Sequence, residues 1–166
     1  LCLRLRRVRK QSGVKPSALS KKISRDTEIA ADIELGNRVP AVGTIAKLAA
    51  ALGVSAPWLA YGLGEPTADP RASCDGMGQR LQTVRTERGL TKAALARLAG
   101  LKAPSISQIE GGGQSGVDTI EGLAKALGVS PGWLAYGVGP MLLPPRRRAA
   151  RGAASARPAP SHASSR

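Results

Sequence analysis

Phenylalanine is absent from the 166 residues, and the aromatic side chains amount to two Trp and two Tyr. A core without Phe must be filled by aliphatic side chains, which suits small helical units better than a large sheet. Histidine occurs once, at His162, and cysteine twice, at Cys2 and Cys74. That is too little for a disulfide scaffold or a zinc site, so no metal and no cofactor are expected. Neither thiol has an evident base partner, and no Gly-rich phosphate loop or paired-carboxylate pattern stands out, so an enzyme is not expected. No apolar run reaches the roughly 18 residues of a membrane span, and no signal-peptide pattern opens the chain. The expected compartment is a reducing cytoplasm, although the chain opens on Leu1 rather than Met and so leaves room for an upstream start. Acids are scarce too: 11 Asp and Glu face 25 Lys and Arg, a net charge of +14 and a pI near 11.1. Such a balance calls for an anionic partner, nucleic acid first and an anionic membrane surface second.

What the chain does have is a repeat. Residues 51–62 read ALGVSAPWLAYG and residues 126–137 read ALGVSPGWLAYG, differing at two positions. Upstream, Leu5, Val8, Arg9, Gly13, Leu19, Ile33, Glu34 and Gly36 return as Leu81, Val84, Arg85, Gly89, Leu95, Ile109, Glu110 and Gly112. The offset changes from 76 to 75 between Gly112 and Thr119, as expected of a loop that lost one residue. Duplication accounts for this most economically, with units at 1–62 and 77–137. Residues 63–76 have the Gly, Pro, Asp and Ser content of a flexible linker. Residues 138–166 are expected to be a disordered tail; from Pro144 on they hold six Arg and seven Ala and no acid.

Each unit reads as five short helices, an all-α fold. In the second, Met77, Leu81 and Val84 form an apolar stripe, and Gly89 suits a left-handed helix end. Thr91 is the expected cap of a helix over Lys92–Ala99, with Leu95, Leu98 and Ala99 facing inward. A turn at 100–102 leads to a helix over Ala103–Glu110 anchored by Ile106 and Ile109. Ile120, Leu123, Ala124 and Leu127 place a fourth helix, and Ser130 with Pro131 starts a fifth. The first unit repeats the plan, with its third helix expected over Thr27–Glu34 and capped by Asp26.

The stretch GLTKAALARLAGLKAPSISQIEGG (89–112), followed by DTIEGLAKALGVSPGWLAYG (118–137), resembles the Cro/CI-type helix-turn-helix domain of phage repressors and XRE-family regulators. The resemblance covers both units and implies two lambda-repressor-like domains and a DNA-binding transcription regulator acting on double-stranded DNA. By resemblance, Lys92–Ala99 is the positioning helix and Ala103–Glu110 the recognition helix that enters the major groove. Lys92 then falls where a phosphate is contacted. Lys102, Ala103, Ser105, Ser107 and Gln108 fall where base edges are read, with Gln108 suited to adenine and Ala103 to a thymine methyl. Arg85 with Glu110, and Arg9 with Glu34, match a partly buried ion pair that is structural in similar repressors.

The first unit departs from this pattern at the reading positions. Glu28 and Asp32 put carboxylates there, Pro16 replaces the basic phosphate contact, and Ser20 and Ser24 stand where the second unit has Ala96 and Gly100. Its eleven cations against four acids lie mostly on the first two helices. It is expected to be a degenerate reader that touches the DNA backbone or another protein. The alternative function is a protein-interaction or antitoxin-like module built on the same helices. Fourteen linker residues reach at most about 46 Å, enough for half-sites roughly 34–36 Å apart. A homodimer and an intrachain pseudo-dimer are both open. The tail arginines, Arg146–Arg148, Arg151, Arg157 and Arg166, offer salt-sensitive attraction to nucleic acid.

Overall fold

Apolar spacing, serine caps and glycine stops divide the chain into short helices, and the computed structural model, which describes residues 1–142, contains ten of them and no strand. In order they are α1 (Cys2–Gln11), α2 (Pro16–Ile23), α3 (Ile29–Leu35), α4 (Val42–Leu52), α5 (Ala56–Tyr61), α6 (Met77–Glu87), α7 (Lys92–Leu98), α8 (Ala103–Glu110), α9 (Val117–Leu127) and α10 (Pro131–Tyr136). The local causes recur. Ser55 and Ser130 cap α5 and α10 by accepting from the Trp58 and Trp133 N–H groups, and a proline sits in each first turn. Both helices stop at a left-handed glycine, Gly62 or Gly137, at φ +73°.

Arginines on the first helix of each five close the packing. The Arg4 guanidinium donates to the carbonyls of Leu59 and Ala60 at 3.0 and 2.7 Å. Arg80 does the same for Leu134 and Ala135 at 3.0 and 2.9 Å. These carbonyls have no partner inside α5 or α10, so the arginines satisfy helix ends that would otherwise be left open. The aliphatic core is continuous: Leu5, Leu19, Ile33, Ile45, Leu48 and Leu59 join Leu81, Leu95, Ile106, Ile120, Leu123 and Leu134 in one buried cluster.

The two sets of five helices meet through contacts exchanged in pairs. The Val42 N–H donates to the Ser115 carbonyl (2.9 Å) and the Val117 N–H to the Pro40 carbonyl (3.1 Å), forming the isolated bridge Ala41–Gly116. The Tyr61 hydroxyl donates to the Val117 carbonyl and the Tyr136 hydroxyl to the Val42 carbonyl, each at 3.3 Å. The two rings lie 6.5 Å apart. Helices α5 and α10 pack against each other, so closely that a Cβ placed on Gly132 would sit 3.0 Å from the Pro57 Cβ. The arrangement has an approximate twofold relation, since each bond has a counterpart 75 residues away.

Several expectations are corrected. Leu98 is 62% exposed instead of facing the core, because α7 ends there and turns its last apolar residue outward. Helix α3 begins at Ile29, two residues later than expected, because side chains take up the preceding backbone donors: Ser24 accepts from the Asp26 N–H and Asp26 from the Glu28 N–H. The segment 63–76 is tied down at both ends: the Ser55 N–H donates to the Pro66 carbonyl (2.9 Å), and the Ser73 N–H to the Tyr136 carbonyl (3.0 Å). Residues 138–142 mirror it, the Met141 carbonyl accepting from the Ser130 N–H at 2.7 Å. A half-open cavity of about 540 Å³, lined in part by Pro57, Leu63, Pro70, Gly132 and Val138, lies between these two returns. The remainder of the tail, with all six of its arginines, lies outside the described residues.

Candidate nucleic-acid interface

Helix α8 owes its placement to two residues and a turn. Ile106 and Ile109, 0% and 4% exposed, hold its inner side. Gly100, at φ +68°, allows the sharp turn out of α7, and Ala96 leaves room where α7 crosses α8. With the isoleucines inward, Ser107 and Gln108 are exposed, as is the capping residue Lys102, while Ala103 and Ser105 are half-buried. Every residue expected to read bases therefore lies on or at the start of one helix, and none is sealed in the core.

Glu110, on the same helix, is turned away from that surface. Its carboxylate accepts from Arg85 Nε at 2.6 Å and Nη2 at 3.3 Å, and only 4% of its side chain is exposed. Arg85 Nη1 also donates to the Leu90 carbonyl at 2.8 Å. Arg9, Glu34 and Val14 repeat the arrangement, with Arg9 Nη2 2.9 Å from Glu34 and Nη1 2.8 Å from the Val14 carbonyl. The Glu34 carboxylate raises the affinity of Arg9 for its proton above the ordinary value. Each pair thus clamps the first helix, the loop after it and the third helix together, with its charges neutralised inside.

Lys92 at the start of α7 was not expected to enter this group. Its Nζ lies 3.4 Å from Glu110 Oε2 while its side chain remains 45% exposed. The ammonium is therefore held at the surface by a carboxylate that already has a partner, leaving positive charge at the mouth of the turn. Sequence spacing alone gives no hint of this contact, because 18 positions separate the two residues.

The corresponding surface of the first five helices differs in charge and in partners. Arg38, beyond α3, lies 2.8 Å from Asp26 and 3.8 Å from Asp32. It holds the Asp26 carboxyl below its usual range together with the Glu28 N–H, which is the larger influence. Asp26 and Asp32 stand where the second set has Lys102 and Gln108. Ser20 is fully buried and satisfied, donating to the Pro16 carbonyl and accepting from the Ala30 N–H, both at 3.0 Å. The hydroxyl thereby supplies the start of α3 with a partner that an alanine could not. Arg4 and Arg9, part of the positive excess of this half, are engaged internally; Arg6, Lys10, Lys15, Lys21, Lys22 and Arg25 are exposed.

Among the described residues, no cluster of His, Cys, Asp or Glu could hold a metal, and no helix is long and apolar enough to cross a membrane. Residues 77–135 match the family model of a helix-turn-helix domain. No solved structure matches the chain. The helices α6–α10 thus constitute a helix-turn-helix domain, a class of module that binds DNA.

Proposed function

We propose that the chain is a cytoplasmic, sequence-specific transcriptional regulator, built like the phage repressors from two Cro/CI-type helix-turn-helix units in tandem. It reads the major groove through α8 and contacts phosphate through Lys92. The observation that carries this reading is the outer surface of α8: Lys102, Ser107 and Gln108 are exposed together, while the helix's one carboxylate is withdrawn onto Arg85. A polyanion meets there donors of the kind that read base edges, and no negative charge.

Selection of preferred duplexes from a random pool tests it. Gln108→Ala is expected to relax preference at one position by roughly tenfold, with affinity for random duplex unchanged. An unaltered preference in that variant overturns the assignment of α8 as the reader. The alternative, a protein-interaction module, draws support from exposed Glu28 on the first half. Arg38, 2.8 Å from Asp26 and 3.8 Å from Asp32, offsets one of these two negative charges and so weakens it in part.

A further inference from the structure

We infer that the chain engages one duplex as a covalent pseudo-dimer with a one-sided operator: α8 reads bases in one half-site, and helices α1 and α2 hold phosphates of the other without reading sequence. This rests on the DNA-binding reading above and goes further, since it names the form of the site and the number of chains on it.

The first support is the exchanged contact surface. Tyr61 and Tyr136, and the backbone groups of Pro40, Val42, Ser115 and Val117, find their partners within the chain. A second chain therefore has no open copy of this surface to pair with. The twelve-residue repeat also differs only at Ala56–Pro57 against Pro131–Gly132, and those positions lie where α5 meets α10. A Cβ at 132 would press on the Pro57 ring at 3.0 Å, so the glycine on one side suits the proline on the other, and the two contact positions differ between the halves.

The second support is charge. Asp26 and Asp32 with Arg38 deprive α3 of free donors at the positions of Lys102 and Gln108, and Glu28 adds an exposed carboxylate. Phosphate contacts have meanwhile moved to the neighbouring helix. Where the second half has Lys92, Gln82 and Thr86, the first has Pro16, Arg6 and Lys10. Arg6 and Lys10 line a cleft of about 230 Å³ beside Pro16, and Lys21, Lys22 and Arg25 extend the basic surface along α2 and the turn after it. Lysines and arginines of this kind bind the backbone and set salt dependence, not sequence.

The test uses the full chain. Light scattering of the complex with a selected duplex is expected to give one chain per duplex. Scrambling the preferred flank should cost roughly five- to a hundredfold in affinity for each essential base pair, and scrambling the other flank almost nothing. The triple variant Lys10→Gln, Lys21→Gln, Lys22→Gln, at exposed positions, should weaken every duplex alike. It should also reduce the slope of log affinity against log salt by about 0.9 for each lost contact. A palindromic consensus, two chains per duplex or an unchanged slope each overturn the inference while leaving the DNA-binding reading standing. Absence of binding to any duplex at low salt overturns both.

Discussion

Glu110 has three nitrogens of two cationic side chains directed at it, and its position shows how much a single side chain organises here. Arg85 reaches it with two nitrogens and Lys92 with one, in a setting almost closed to water. Removing one member of a buried pair leaves the other charge uncompensated, which is far costlier than the pair's own net contribution. Glu110→Ala is therefore expected to destabilise the chain by about 3–5 kcal/mol, read as a shift in urea midpoint. A loss below about 1 kcal/mol, the size of an exposed pair, would show that the contact is effectively a surface one. The partnership of Arg85 with Glu110, which the structure shows, was implied by the family resemblance. The involvement of Lys92 was not, because it depends on how α7 lies across α8.

Helices α6 and α8 illustrate the next scale. Gly78 lies in α6 where a Cβ would stand 2.5 Å from the Ile109 carbonyl and 2.7 Å from that of Glu110. The neighbours are backbone atoms that cannot swing aside. Gly78→Ala should thus force α6 from the end of α8 and cost roughly 1–3 kcal/mol, measurable as a lowered melting temperature. A neutral or stabilising result would mean that the two helices have room to separate. The first half carries Cys2 at the corresponding place, so the repeat alone did not mark the position as one requiring glycine. The existence of the helices and their inward isoleucines were readable from periodicity, and the caps at Thr91 and Ser130 from residue type, whereas the expected Asp26 cap of α3 gave way to Glu28. The late start of α3 and the outward turn of Leu98 were not, since competing side-chain hydrogen bonds and a helix end decided them.

At the scale of the whole molecule, Tyr61 and Tyr136 tie the two halves, and their burial pushes both phenols well above their ordinary value. A hydroxyl whose folded pKa is raised stabilises the fold fully below the unfolded value. That contribution falls away as pH rises past about 10 toward the folded values. The chain is accordingly expected to lose stability above pH 10 more steeply than Tyr61→Phe/Tyr136→Phe, followed by circular dichroism in urea at stepped pH. Parallel curves for the two proteins would show that the phenols do not couple the halves. At neutral pH the double variant loses two hydrogen bonds of about 1 kcal/mol each.

The amino-acid sequence by itself determined the all-helical class, the internal repeat and the basic character. These follow from spacing, composition and side-chain chemistry, which are properties of neighbours along the chain. Tertiary structure alone decided that Asp26 and Asp32 are answered by Arg38, that 63–76 is fastened down, and that the halves join through Tyr61, Tyr136 and the Pro57–Gly132 fit. The physical reason is range: hydrogen bonds and van der Waals contacts between residues tens of positions apart exist only after both helices have been packed.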